Sequence, residues 1–170
     1  MTPTETGWRS TQANFLQTWQ RVMTDPHGFF AEMPQAGGLG DPGTFLLITG
    51  LLNAVGHLVL GSGIGGMLAW FVFHVVLAGV IAALFTVVAQ QLFEGKAGFE
   101  PTFRVVAYST APLVFSWVPL VGTVAGLYAA YLMMRGIERV HIMDTTRAVL
   151  TVVVGAVAIW LLGLSTAFWQ

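Results

Sequence analysis

Apolar residues fill three long stretches of this chain without a single charge: 42–93, 105–134 and 148–170. The charged residues gather in the segments before and between them, 1–41, 94–104 and 135–147. A helix crosses the hydrocarbon of a bilayer with about 20 residues. The run 42–93 therefore holds two spans, split at Gly61-Ser-Gly-Ile-Gly-Gly66 and placed at about 44–61 and 66–92. The run 148–170 holds one more span, which starts at Asp144, a residue able to cap the free backbone N–H groups of a helix start.

The middle run has two prolines and a glycine near its centre, Pro112, Pro119 and Gly122, which favour a turn. Charge points the same way. Cytoplasmic loops carry the excess of Lys and Arg. Folded as a hairpin, the run leaves all seven Lys and Arg on one side of the membrane. As a single span it puts Arg135, Arg139 and Arg147 opposite the other four. The chain is thus predicted to be an all-α polytopic membrane protein with five transmembrane helices. The third and fourth are short, at about 103–118 and 120–136, with the N-terminus inside and the C-terminus outside. Trp70, Trp117 and Trp169 then fall near the outer boundary, where aromatic belts sit. Trp8 and Trp19 lie in the inner segment.

Ahead of the spans, Phe15, Leu16, Trp19, Val22 and Met23 repeat at helical spacing. Asp25-Pro26 ends that helix and starts another, because Asp caps and Pro suits a first helical turn. Phe29, Phe30 and Met33 share a face of the second helix before Pro34. The segment 10–33 reads as two amphipathic helices, either lying on the inner leaflet or packed on the cytoplasmic ends of the spans. Both arrangements bury the same stripe. Two parts result, a cytoplasmic amphipathic segment 1–43 and a transmembrane domain 44–170. A basic start followed by an apolar core is absent, so this is no signal peptide.

Composition narrows the class further. The chain is 55% hydrophobic and 9% charged, with mean hydropathy +0.74. Soluble domains carry about 25% charged residues. With net charge −1 there is no basic field for nucleic acid. With no cysteine there is no thiol nucleophile, thiolate metal site or palmitoylation.

Candidate chemistry is sparse. Gly61 to Gly66 spells G-x-G-x-x-G, but it joins two spans and lacks an acidic residue about 20 positions on, so it reads as a tight turn. Asn53, His57 and His74 form a candidate intramembrane polar site. Ionisable groups within spans are functional candidates, and their alternative role is a hydrogen-bonded helix seam. His57 and His74 meet only if the helices tilt. Two histidines without a carboxylate make a poor metal site, and no metal or cofactor is expected. Gly122 and Gly126 form a G-x-x-x-G pair, and Gly79 with Ala83 and Gly163 with Ala167 repeat the small-residue spacing that lets helices approach closely. That spacing suits packing within the chain or between two copies. Ser109, Ser116 and Ser165 have no His and Asp at matching depth, so no catalytic set is expected.

The stretch Trp19-Gln-Arg-Val-Met-Thr-Asp-Pro-His-Gly-Phe-Phe-Ala-Glu-Met-Pro34 and the Gly-rich stretch ending Asp41-Pro42 resemble the opening of the Yip-one domain family. These are the Ypt/Rab-interacting membrane proteins and their bacterial relatives. The resemblance continues in Phe93-Glu-Gly-Lys-Ala-Gly-Phe99, with Gly95, Lys96 and Phe99, and in Phe103-Arg-Val-Val-Ala-Tyr-Ser-Thr-Ala-Pro112, with Tyr108 and Pro112. It runs on through Trp117-Val-Pro-Leu-Val-Gly122, with Pro119 and Gly122, to Arg135-Gly136-Ile137-Glu138. It implies five spans, a cytoplasmic N-terminus and a non-enzymatic integral membrane protein. Ala107-Tyr108 stands where the family often has Gly-Tyr. The eukaryotic Asp-Leu-Tyr-Gly-Pro-like signature is reduced to Gly40-Asp41-Pro42, so Rab binding is not carried over. The resemblance is to the bacterial branch, in the inner membrane.

Three functions are consistent with this reading. One is a protein acting by helix packing, through self-association or as an adaptor for other membrane proteins. Another is a small proton or cation transporter using the intramembrane histidines. The third is a lipid-active or membrane-shaping protein. The expected partners are the bilayer, a second copy of the chain and other membrane proteins.

Overall fold

The computed structural model describes residues 15–161 and Gly163. Trp8, Ser165, Ala167 and Trp169, named above, lie outside the described residues, as does the start of the segment 10–33. The described residues form seven α-helices and one 3-10 helix, with no strand among them.

Helices α1 (Phe15–Thr24) and α2 (Pro26–Glu32) meet at Asp25, whose carboxylate accepts from the Gly28 N–H at 3.0 Å. Pro26 sits in the first turn of α2, where its missing N–H costs nothing. A linker through Gly37 and Gly38 leads to α3 (Gly40–Val59), and the turn around Gly61 leads to α4 (Gly63–Phe93). Gly61 adopts φ +91°, a conformation that glycine takes without steric cost. α5 (Phe99–Ser109) runs into the 3-10 helix Ala111–Phe115, and α6 (Val121–His141) returns. Helix α7 (Thr145–Leu161) closes the described chain. The Asp144 carboxylate accepts from the Arg147 N–H at 3.2 Å, the cap anticipated there.

Among the described residues two helices are long and apolar enough to cross a bilayer, α3 with 20 residues and α4 with 31. The third span expected at 103–118 takes a different form. Its helix starts earlier, at Phe99, and ends after 11 residues. At 1.5 Å per residue that is about 16 Å, half of a hydrocarbon core. Pro112 then enters the tighter 3-10 turn, lacking the N–H an α-helix needs. The first two expected spans also begin and end a few residues away, α3 from Gly40 and α4 from Gly63.

The short helix α5 is the hub. Every residue from Thr102 to Pro112 is buried, and α1, α3, α4 and α6 all pack on it. Val105, Val106, Ala107 and Tyr108 join Phe45, Phe85, Leu132 and Ile137 in one core. The amphipathic stripe of α1 and α2 enters that same core through Val22, Phe29, Phe30 and Met33. Of the two arrangements anticipated for these helices, the fold uses the one in which they pack on the bundle. The Trp19 indole N–H donates to the Ala111 carbonyl at 2.9 Å, and the Tyr128 hydroxyl to the Met23 carbonyl at 2.7 Å. These bonds tie α1 to the 3-10 turn and to α6.

Candidate functional site

Two polar regions stand out from the apolar bundle. The first is a seam between α3 and the α5–α6 hairpin. Thr49 and Thr110 share a buried hydroxyl–hydroxyl bond of 2.8 Å. One turn further along α3, the Asn53 amide donates to the Leu113 carbonyl at 2.6 Å and to the Ser116 hydroxyl. The Leu113 carbonyl also accepts the Ser116 N–H of the 3-10 turn at 3.0 Å, so Asn53 adds a second donor to it and docks α3 on that turn. Trp117 then lies over Gly56, so closely that a Cβ there would collide with its ring.

Asn53, His57 and His74 make their contacts with different neighbours. His57 stacks on Trp70 at 4.3 Å between ring centroids, with 4° between the planes. His74 packs against Gly50 and is 8% exposed, and its Nε2 has no hydrogen-bond partner. Antiparallel pairing of α3 and α4 thus gives the two histidines different neighbours. No group of three or more His, Cys, Asp or Glu among the described residues is placed to hold a metal ion.

The second region is the charged end of the bundle, where segments 94–104 and 135–147 come together. Arg147 pairs with Glu94 at 3.7 Å and with Asp144 at 3.2 Å. The Lys96 backbone N–H donates to the His141 carbonyl at 3.4 Å. Arg104, 1% exposed, donates to the Gly38 carbonyl at 2.6 Å and lies 3.4 Å from Glu100. Glu100 also accepts from the Gly38 N–H at 2.7 Å, so both residues fasten the glycine linker to α5. His141 is 1% exposed and meets the Thr102 hydroxyl at 2.9 Å through Nε2, while Nδ1 is unpartnered beside Gly95. Burial pushes the His141 imidazole down to about 4, because the charged ring loses its water.

Small residues separate into two sets. A Cβ at Gly136 would collide with Val105, and one at Gly155 with Phe85; sequence spacing marked neither contact. Gly122 closes on the Ser116 carbonyl. Gly79 and Gly126 have nothing within 4 Å of an added Cβ, and Ala83 is exposed. Packing within the chain, one of the two roles anticipated for this spacing, is therefore not the role of these three. Their spacing matches a helix contact, but their faces point away from the bundle.

The family model for the Yip1 domain matches residues 21–167. The chain belongs to the Yip1 domain family. This is a family of membrane proteins not known as enzymes. Neither the curated proteins nor the solved structures gave a match.

In this Yip1 chain the motif residues build the hub and its turns. Pro42 is buried in the first turn of α3, beside exposed Asp41. Tyr108 stands edge-on between Phe29 and Phe45, at 5.0 and 5.1 Å. Phe99 packs on Phe103 at 5.8 Å. The Pro119 carbonyl accepts from the Val121 N–H at 2.8 Å, starting the return of α6. Gly95 gives His141 room and Gly136 gives Val105 room. Nothing local in the sequence indicates the partners of Thr102, Arg104, Thr110 and Ser116, which come from distant segments. A charge at the very edge of an apolar run was the available signal for Arg104.

Proposed function

We propose that this Yip1-domain protein acts through its outer surface, as a membrane adaptor or by self-association, and carries out no chemistry of its own. In this reading the α5–α6 hairpin crosses or nearly crosses the bilayer, giving five membrane segments. The N-terminus and the charged end face the cytoplasm and the C-terminus faces the periplasm of a bacterial inner membrane. Residues 1–43 form the cytoplasmic part and 44–170 the membrane domain.

The observation that carries the reading is the contrast between a filled interior and unused small-residue faces. The polar side chains of the seam are consumed by bonds to the hairpin, whereas Gly79, Ala83 and Gly126 lie beside exposed Val80, Val87, Val124 and Leu127. In lipid, close backbone approach at small residues is a main source of helix association. Gly126→Ile tests this directly, since the added side chain meets nothing within the chain. The expected outcome is a normally folded monomer in nanodiscs where the parent protein gives an assembly. Unchanged particle size in Gly126→Ile and in Gly79→Ile would contradict the reading.

A second reading rests on the unpartnered Nε2 of buried His74, which suits proton or cation passage. It requires flux in proteoliposomes that His74→Ala abolishes. The membrane-shaping reading has less support, because the apolar stripe of α1 and α2 is spent on the core.

A further inference from the structure

At the charged end, α2 crosses the last turns of α6 and leaves a cavity of about 400 Å³. Its walls combine basic and apolar groups: His27 and Phe30 from α2, Arg135 and Arg139 from α6, and Ile142 and Met143 from the turn that follows. We propose that this cavity holds the phosphate headgroup of an anionic phospholipid, with its glycerol and first acyl carbons on the apolar wall.

Charge accounting points to an anion. Glu138 is the one carboxylate in the lining, and both its oxygens are taken. One accepts from Arg135 at 3.0 Å and the other from the Thr145 hydroxyl at 2.7 Å. Arg139 has no carboxylate partner among the described residues, only a 3.5 Å contact with the Ala31 carbonyl. The cavity therefore presents one uncompensated guanidinium, whose planar fork suits phosphate oxygens.

The remaining wall points to a lipid. Phe30 is 2% exposed and forms a rigid floor. At the rim Ile142 is 72% exposed and holds φ +52°, a conformation that β-branched residues rarely adopt. Ile142 ends α6 as its left-handed cap, its N–H donating to the Glu138 carbonyl, and this turn holds its side chain outside the bundle core beside Arg139. At a bilayer boundary it meets the acyl region while Arg139 meets the headgroup. No run of four to eight basic residues marks the site in sequence, because its cations and its apolar floor come from segments over 100 residues apart.

The site is separate from the small-residue faces, so a chain that stays monomeric tests it equally well. Purified full-length protein in a zwitterionic detergent is offered phosphatidylglycerol and phosphatidylcholine at equal concentration, and bound lipid is counted by native mass spectrometry. The expected result is about tenfold preference for phosphatidylglycerol, the scale of one charge-assisted contact. Arg139→Gln brings the two lipids near parity with an unchanged melting curve, and Arg139→Lys keeps most of the preference. Free glycerol 3-phosphate at matched concentration leaves the bound lipid in place. Equal retention of both lipids by the parent protein, or an undiminished preference in Arg139→Gln, would overturn the proposal. Displacement of the lipid by glycerol 3-phosphate would overturn it in favour of a soluble phosphate ligand.

Discussion

The seam and the charged end treat polar groups in opposite ways. In the seam, Thr49, Asn53, Thr110 and Ser116 lock α3 to the 3-10 turn. At the charged end, polar groups keep spare capacity: among the described residues Arg139 has no carboxylate partner, and His141 Nδ1 and Arg104 Nε are unpartnered. A polar residue deep in an apolar run is therefore no indicator of a site by itself. Inside the bundle the seam's hydroxyls and amide join helices, while the His74 Nε2 and the Ser109 hydroxyl stay unpartnered. At the charged end the exposed Arg139 keeps donor capacity, while the Arg104 Nε and the His141 Nδ1 are buried.

The contrast is broken most severely at the contact that supports both regions. Gly136→Leu forces a side chain into Val105 of the hub. Overpacking of this kind costs about 1–3 kcal/mol and more where the backbone must move. The expected outcome is a large fall in folded yield and melting temperature, against little change for Gly126→Leu. Equal behaviour of the two variants would remove α5 from the centre of the account.

Next comes the charged end. The folded protein keeps His141 neutral down to about 4, while the unfolded chain protonates near 6.5. Stability is therefore complete above pH 6.5 and falls as pH drops toward 4. The total is about 3 kcal/mol at 1.36 kcal/mol per unit. Melting curves across that range should show the slope in the parent protein and a flatter profile in His141→Gln. A parent profile without slope would show that the imidazole is solvated.

The seam sharpens the comparison with smaller effects. Asn53→Ala removes two hydrogen bonds to the 3-10 turn, while the Leu113 carbonyl keeps its bond from the Ser116 N–H, a loss of about 1–2 kcal/mol. His57→Ala gives up one stacked ring and should cost about 1 kcal/mol. If His57→Ala is the more damaging of the two in thermal melts, the seam has been placed on the wrong residues.

Local chemistry explains what the sequence made legible. Asp25-Pro26 and Asp144 mark helix starts because capping acts within one turn. Gly61 marks its turn because the backbone there needs positive φ. The blocks 94–104 and 135–147 belong to one end because charge avoids hydrocarbon, and Arg147 meets Glu94 there. The hub was hidden. In lipid, a side facing protein and a side facing acyl chains are equally apolar, so periodicity does not separate them. Nothing local in α5 distinguishes Val105, buried against Gly136, from Val124, exposed on α6. Asn53 finds its carbonyl 60 residues away, and Arg139 reaches α2 across 108. Spacing rules catch small residues such as Gly79 and Gly126 but are silent on which face meets a neighbour.

The fold-back of α5 and α6 underlies the seam, the charged end and the lipid cavity alike. The chain has no cysteine, so a single cysteine at Lys96 or at Arg139 gives an unambiguous label. In right-side-out and inverted vesicles, a membrane-impermeant maleimide should reach both positions from the cytoplasmic face only. Labelling of Lys96→Cys from one face and Arg139→Cys from the other would make α5 and α6 a single crossing and contradict the account.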